Sequence, residues 1–272
     1  MLAAETRRGF TMIELLTVTA ILALLMSVLL PSLSAARDAA QRVSCLSNTR
    51  QLVTAWTMYA QDFSGSAMPL AYFEYADTRG GDGVFWFGTD GRVTGRIDHA
   101  RGLLTPYLDD ALGEDSVYEC PAQPWGTYAP QTRTGGFTTT YGYNGYYLCP
   151  PKTPGWGGAF GPIGKRPWRR LDQIHRPTEL LVFADTLLPV GDSGRSTALL
   201  DPPMLFEGNG SWRINEAPTT SFRHRGVAAA AHADGSSRSR RPDPEALFIE
   251  RLGVGSISAR NHDAYVPDWQ RW

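Results

Sequence analysis

Phe10-Thr11-Met12-Ile13-Glu14-Leu15-Leu16-Thr17-Val18-Thr19-Ala20-Ile21-Leu22-Ala23-Leu24-Leu25-Met26-Ser27-Val28-Leu29-Leu30 is a run of 21 residues in which Glu14 is the only formal charge. As a helix rising 1.5 Å per residue it is roughly 31 Å long, enough to cross a hydrocarbon core of about 30 Å. Arg7 and Arg8 stand immediately before it. Short positive flanks stay in the cytoplasm, so the predicted orientation is N-terminus in, C-terminus out. Glu14 is the anomaly. An acidic side chain costs up to about 2.5–3.5 kcal/mol at the bilayer centre and less near the end of the span. The positive end of the helix dipole offsets about 0.3–1 kcal/mol of that. A cationic partner would offset more.

Arg7-Arg8-Gly9-Phe10-Thr11-Met12-Ile13-Glu14-Leu15-Leu16 resembles the leader of type IV prepilins and pseudopilins nearly position for position. The resemblance implies cleavage after Gly9 by a prepilin peptidase, N-methylation of the new terminus Phe10, and retention of the apolar helix. Residues 1–9 are then the leader, 10–30 the transmembrane helix, 31–63 its amphipathic continuation and 64–272 an extracytoplasmic, β-rich domain. The resemblance also gives Glu14 a partner, the N-terminal amine of Phe10 in a neighbouring subunit of a filament. Pro31 falls 22 residues into the chain so processed, where pilin helices carry a helix-disturbing proline. It removes the hydrogen bond to the Ser27 carbonyl and is expected to kink the helix. The competing reading is a removable export signal ending among Ser32, Ser34, Ala35 and Ala36. Thr6-Arg7-Arg8-Gly9-Phe10 even resembles a twin-arginine signal. An export signal has no use for Glu14.

Beyond the span, Ser34 to Phe63 holds neither Gly nor Pro, and Leu52, Trp56, Tyr59 and Phe63 recur at helical spacing. The pattern predicts an amphipathic helix whose apolar stripe packs on a sheet, ended by Ser64-Gly65. Trp56 and Tyr59 read as core. Cys45-Leu46-Ser47-Asn48-Thr49-Arg50-Gln51-Leu52 through Met68-Pro69 resembles a subgroup of pseudopilin-like proteins of planctomycete-type bacteria.

The remaining composition is that of a globular body. Apolar residues are 42 % and charged residues 19 % of the 272, and Lys+Arg 26 nearly balance Asp+Glu 27. Intrinsic disorder, a polytopic membrane protein and a chain-wide field for nucleic acid are excluded. Gly 28 and Pro 19 point to many turns. The predicted fold class is α+β and pilin-like: a long N-terminal helix on a mainly antiparallel sheet with long loops. Val84-Phe85-Trp86-Phe87 reads as a short strand and Leu103 to Leu112 as a short helix. Leu180-Leu181-Val182-Phe183-Ala184-Asp185 reads as a central strand.

His224, nine residues, then Asp234-Gly235 is the C-terminal signature of the same subgroup. From the residues it is a hairpin: Val227 to Ala233 outward, a turn at Asp234-Gly235 and Ser236 to Arg240 in return. On an ideal strand His224, His232 and Asp234 share a face. A turn and a hydrogen-bonded histidine explain them without an ion, so neither a metal nor any other cofactor is expected. Three cysteines without a Cys-x-x-Cys pair make no zinc or redox motif. Cys120 and Cys149, each followed by proline, are the candidate disulfide across 28 intervening residues, and Cys45 reads as a small buried residue.

Gly191-Asp192-Ser193-Gly194 resembles the nucleophile segment of chymotrypsin-like proteases for four residues only, and no positioned base accompanies it. Gly164-Lys165 lacks the rest of a phosphate loop. Basic clusters at Lys165, Arg166, Arg169 and Arg170 with Trp168, and at Arg223, Arg225, Arg238, Arg240 and Arg241, read as solvated loops, and nucleic acid is not an expected partner. The expectation is a non-enzymatic subunit of a type II secretion pseudopilus or type IV pilus-like filament. It sits in the inner membrane by a single pass, with its domain periplasmic or on a surface filament, and its partners are the prepilin peptidase and other pilin-type subunits. The alternative is an exported soluble hydrolase or glycan-binding module using residues 1–30 only as a signal peptide.

Overall fold

The computed structural model describes residues 10–123, 126–129, 138–157 and 161–272. One helix, α1, runs from Met12 to Asp62. It belongs to two compact units, 1–40 and 41–272.

In the first unit, α1 carries Glu14 as its one charged side chain up to Leu33 and is open to its surroundings: Ile13, Leu24, Val28 and Leu33 are each more than two-thirds exposed. Among the described residues α1 is the one helix long and apolar enough to cross a membrane. Pro31 lies inside α1, which continues past it. The proline removes one backbone donor without ending the helix. Ser27, whose carbonyl loses its usual donor, sends its own hydroxyl to the Leu24 carbonyl at 2.7 Å.

In the second unit, the last turns of α1 become one-sided. Cys45, Thr49, Leu52, Val53, Trp56, Tyr59 and Ala60 are buried. The spacings of three and four put these side chains on one stripe. Phe63, expected on that stripe, is 50 % exposed and stacks on Tyr59 at a centroid distance of 4.2 Å. Ser64 and Gly65 both take positive φ (55° and 80°), which stops the helix where the two residues predict it.

The body is built from short elements: β1 Ala71–Tyr72, α2 Tyr75–Thr78, β2 Val84–Phe85, β3 Gly88–Thr89, α3 Thr105–Leu108, β4 Tyr141–Tyr143 and α4 Gly145–Leu148. Then follow β5 Leu181–Asp185, β6 Leu188–Val190, β7 Ser193–Arg195, β8 Met204–Gly208, β9 Ser211–Ile214 and β10 Thr220–Ser221. β11 Ala228–His232, β12 Ser237–Arg240, β13 Val254–Gly255 and α5 His262–Tyr265 complete the chain. The main sheet has the order β12-β11-β5-β4, every pair antiparallel. β5 is central, as its apolar run predicts, and all five of its residues are buried. Its neighbour β11 contains four alanines, poor strand formers, yet is buried throughout. Packing on both faces outweighs propensity there. Trp56 of α1 donates its indole N–H to the Tyr143 hydroxyl of β4 at 3.0 Å, and that hydroxyl donates to the Met68 carbonyl at 2.7 Å. The Thr49 and Ser237 hydroxyls meet at 2.6 Å, tying α1 to β12. The long helix on an antiparallel sheet is therefore the predicted α+β arrangement.

Two local expectations change. Val84 to Phe87 is not one strand: β2 turns at Trp86-Phe87 and returns as β3, pairing Val84 with Thr89 and Phe85 with Gly88. The helix expected over Leu103 to Leu112 is only α3, because Asp109 adopts a left-handed φ of 51° and closes it after one turn.

Candidate functional site

Thr11 and Glu14 form a closed pair at the start of α1. Glu14 Oε2 accepts from the Thr11 backbone N–H at 2.8 Å and from its hydroxyl at 2.7 Å. Thr11 Oγ1 in turn accepts from the Glu14 N–H at 3.3 Å. This is a capping box, in which a Thr at the cap and a Glu three residues later satisfy each other's orphan N–H groups. Glu14 Oε1 has no partner among the described residues. Phe10, next to the cap, is 73 % exposed. Gly9 and the arginines before it lie outside the described residues.

A family model for the prokaryotic N-terminal methylation motif matches residues 6–30. The chain carries a prepilin-type N-terminal motif. No curated protein and no solved structure matches the chain. The prepilin-type motif thus covers Phe10, Thr11, Glu14 and the apolar part of α1 up to Leu30, a pattern that suits a pilin- or pseudopilin-like precursor with a single membrane-crossing helix.

The C-terminal signature does not share the face drawn for it. His224-Arg225-Gly226-Val227 is a tight turn, with His224 N–H donating to Val227 O at 3.1 Å and positive φ at Arg225 and Gly226 (54° and 81°). That turn breaks the period of two, so His224 precedes β11 while His232 lies in it. His232 Nε2 meets Arg240 Nη1 at 3.1 Å. Asp234 holds the turn to β12 by accepting from the Ser236 N–H at 2.9 Å and hydroxyl at 2.6 Å, and Gly235 supplies the positive φ of 82°. The hairpin is as predicted. The common face is not.

The cysteine pairing is also corrected. Cys45 of α1 is disulfide-bonded to Cys120, with Cα atoms 5.4 Å apart, and Cys149 is free and buried. Cys149 instead accepts the Leu70 N–H on its sulfur at 3.1 Å, and burial pushes its thiol up to about 12. Helical periodicity marks Cys45 as inward-facing, but the sequence holds no sign of which distant loop it meets.

Around that disulfide lies a buried polar group that sequence reading did not assemble. His224 Nε2 stands 3.3 Å from Cys120 Sγ and 3.3 Å from Asp185 Oδ2. Asp185, the last residue of β5, accepts the Ala229 N–H of β11 on Oδ2 at 2.7 Å. Arg223 Nε stands 3.9 Å from Asp185 Oδ1. Its Nη2 donates to the Thr186 carbonyl at 2.6 Å. This is not a nucleophile, base and orienter: a relay uses both ring nitrogens of the histidine, and here Nε2 faces both neighbours.

The basic clusters are largely consumed within the chain. Arg169 pairs with Asp268 at 2.8 Å, Arg166 lies 4.3 Å above the Phe206 ring, Arg223 is buried beside Asp185, and Arg240 reaches Glu179 at 3.5 Å. Ser193 is at the start of β7, its hydroxyl directed to the Val190 carbonyl at 3.4 Å. A cavity of about 540 Å³ is walled by Leu70, Phe85, Phe87, Leu205 and Asp201. None of the candidate site residues Phe10, Glu14, Cys120, Cys149, His224, Asp234 and Gly235 lines it.

Proposed function

We propose that this chain is a non-catalytic structural subunit of a pilus-like or type II secretion pseudopilus filament. A prepilin peptidase cleaves it after Gly9, Phe10 becomes the N-methylated terminus, and the apolar part of α1 anchors it by a single pass in the inner membrane. Residues 41–272 lie on the periplasmic side, opposite Arg7 and Arg8, as the positive-inside rule requires. Assembly then joins the charged amine of Phe10 in one subunit to the Glu14 carboxylate of the next, pairing two charges that apolar surroundings would otherwise penalise by several kcal/mol.

The observation that carries the reading is Glu14 inside the matched motif. The capping box supports it further, because it occupies only Oε2. Oε1 stays open for an incoming ammonium while the helix start remains intact. The alternative, a soluble domain released from a signal, leaves the charge of Glu14 with no task beyond the cap at the start of α1.

The test is a Glu14→Ala chain expressed beside wild type. It is expected to reach the membrane and fold, yet to be missing from sheared filaments and from cross-linked oligomers of pilin-type subunits. Incorporation at the wild-type level contradicts the proposed pairing.

A further inference from the structure

Cys45, Cys120, Asp185 and His224 each aim one metal-ligating atom at a common point, with all four atoms within 4.8 Å of one another and every residue buried. A disulfide is apolar and uses neither an imidazole nor a carboxylate. Yet an imidazole nitrogen and a carboxylate both face this one, at the centre of the body and outside the prepilin-type motif. Asp185 Oδ1 and Arg223 Nη1 are buried without a hydrogen-bond partner, so the disulfide form leaves part of this polar group unsatisfied.

We propose that reduction of the Cys45–Cys120 disulfide converts this cluster into a tetrahedral site for a zinc-type divalent cation, ligated by Cys45 Sγ, Cys120 Sγ, Asp185 Oδ2 and His224 Nε2. In a tetrahedron with metal–ligand bonds of about 2.0–2.3 Å, neighbouring donors are roughly 3.3–3.8 Å apart. His224 Nε2 already stands 3.3 Å from both Cys120 Sγ and Asp185 Oδ2. Cleavage of the S–S bond lets the two sulfurs separate to the same spacing. Two thiolates, one imidazole and one carboxylate form a donor set that suits zinc and disfavours calcium or magnesium. The Ala229 N–H on Asp185 Oδ2 is the outer hydrogen bond that orients a ligating carboxylate.

Charge favours burial in both states. The oxidised cluster holds the Asp185 carboxylate beside the Arg223 guanidinium, which sums to zero. The reduced, loaded cluster adds two thiolates and a divalent cation, which also sum to zero. Neither state buries a net charge. The chemistry balances: a dithiol reductant donates two electrons and two protons, leaving two cysteine thiols and an oxidised reductant disulfide. Metal binding then releases the two thiol protons to solvent. Either state ties α1 to the loop that holds Cys120, so a chain not yet oxidised keeps the same cross-link through the ion.

The experiment uses the full-length chain in detergent micelles, reduced by a phosphine under mild denaturant and refolded with Co2+ as the probe. The phosphine becomes its oxide with oxygen from water. The expected result is one Co2+ per reduced chain, with the visible d–d bands of tetrahedral cobalt and a thiolate charge-transfer band, both erased by Zn2+ and both absent from the oxidised chain. Cys149→Ala keeps the bands. Asp185→Asn and His224→Gln weaken binding by roughly tenfold or more, and His224→Cys restores it with a stronger charge-transfer band. Circular dichroism confirms that each variant is folded. A folded, reduced chain without the bands overturns the proposal. So do bands indifferent to Asp185 and His224, bands lost with Cys149→Ala, or a reduced chain that Co2+ does not refold.

Discussion

Glu14 Oε2 accepts both the backbone N–H and the hydroxyl of Thr11, at 2.8 and 2.7 Å. The carboxylate at the heart of the prepilin-type motif therefore has a local task, capping α1, as well as the proposed one between subunits. The two tasks separate by substitution. Glu14→Gln keeps an acceptor at the third helical position and so keeps the cap, but removes the charge that attracts an amine. Thr11→Ala keeps the charge and loses the cap, at a cost of about 1 kcal/mol. Glu14→Gln should be absent from filaments and Thr11→Ala present, as read by immunoblot of the sheared fraction. The reverse pattern would make helix capping the reason for Glu14.

The Cys45–Cys120 link closes a loop across a sequence separation of 75. Chain entropy assigns such a loop about 4 kcal/mol of stability. Peptide mapping under oxidising conditions should recover Cys45 joined to Cys120, with a single titratable thiol, Cys149, after denaturation. Cys45→Ala should lower the stability of the body by about that amount, and Cys149→Ala by much less. A mapped bond that includes Cys149 would contradict this pairing.

Burial raises the Asp201 carboxyl from its usual 3.8 to about 7, against the opposing hydrogen bond from Trp156. Between about pH 4 and 7 the folded chain thus keeps a proton that the unfolded chain has released. Stability from this group falls as pH rises through that window and is lowest above pH 7. Glu119, also raised to about 7 by burial, acts in the same direction. His232 opposes both at the acid end: burial, then Arg238 and Arg240, lower it to about 4. The unfolded chain takes up that proton first, and stability is lost as pH falls from about 6.5 to 4. Asp201→Asn should remove part of the decline in denaturation midpoints between about pH 4 and 7, and an unchanged pH profile would refute the assignment.

Glycines make a paired stability test. A Cβ at Gly142 of β4 would lie 2.7 Å from the carbonyl carbon and oxygen of Leu199, backbone atoms that cannot step aside. Gly235 has open space and needs only its φ of 82°. Gly142→Ala should cost about 3 kcal/mol or more through overpacking, and Gly235→Ala about 1–2 kcal/mol through left-handed strain. Equal melting-temperature losses would speak against the β4 packing.

Much of this architecture was legible in local pattern. The apolar run to Leu30, the inward stripe through Leu52, Trp56 and Tyr59, the β5 run and the Asp234-Gly235 turn each depend on neighbours within a few residues. The Thr11-x-x-Glu14 capping box is equally local, a threonine followed three residues later by a glutamate at the head of an apolar run. What stayed hidden is non-local. Nothing near Cys45 says that Cys120 rather than Cys149 lies opposite it. Nothing near His224 says that a turn at Arg225-Gly226 rotates it away from His232 and towards Asp185. These contacts are set by how α1 and β5 dock, which no window of sequence encodes.

The central claim is that α1 remains on the mature protein and begins with a modified Phe10. Intact-mass and N-terminal peptide spectrometry of the chain purified from the membranes of its own host decides it. The account predicts a mature chain that starts at Phe10 and carries one methyl group on the terminal amine. A mature chain starting near Ala36, free of the membrane, would contradict it.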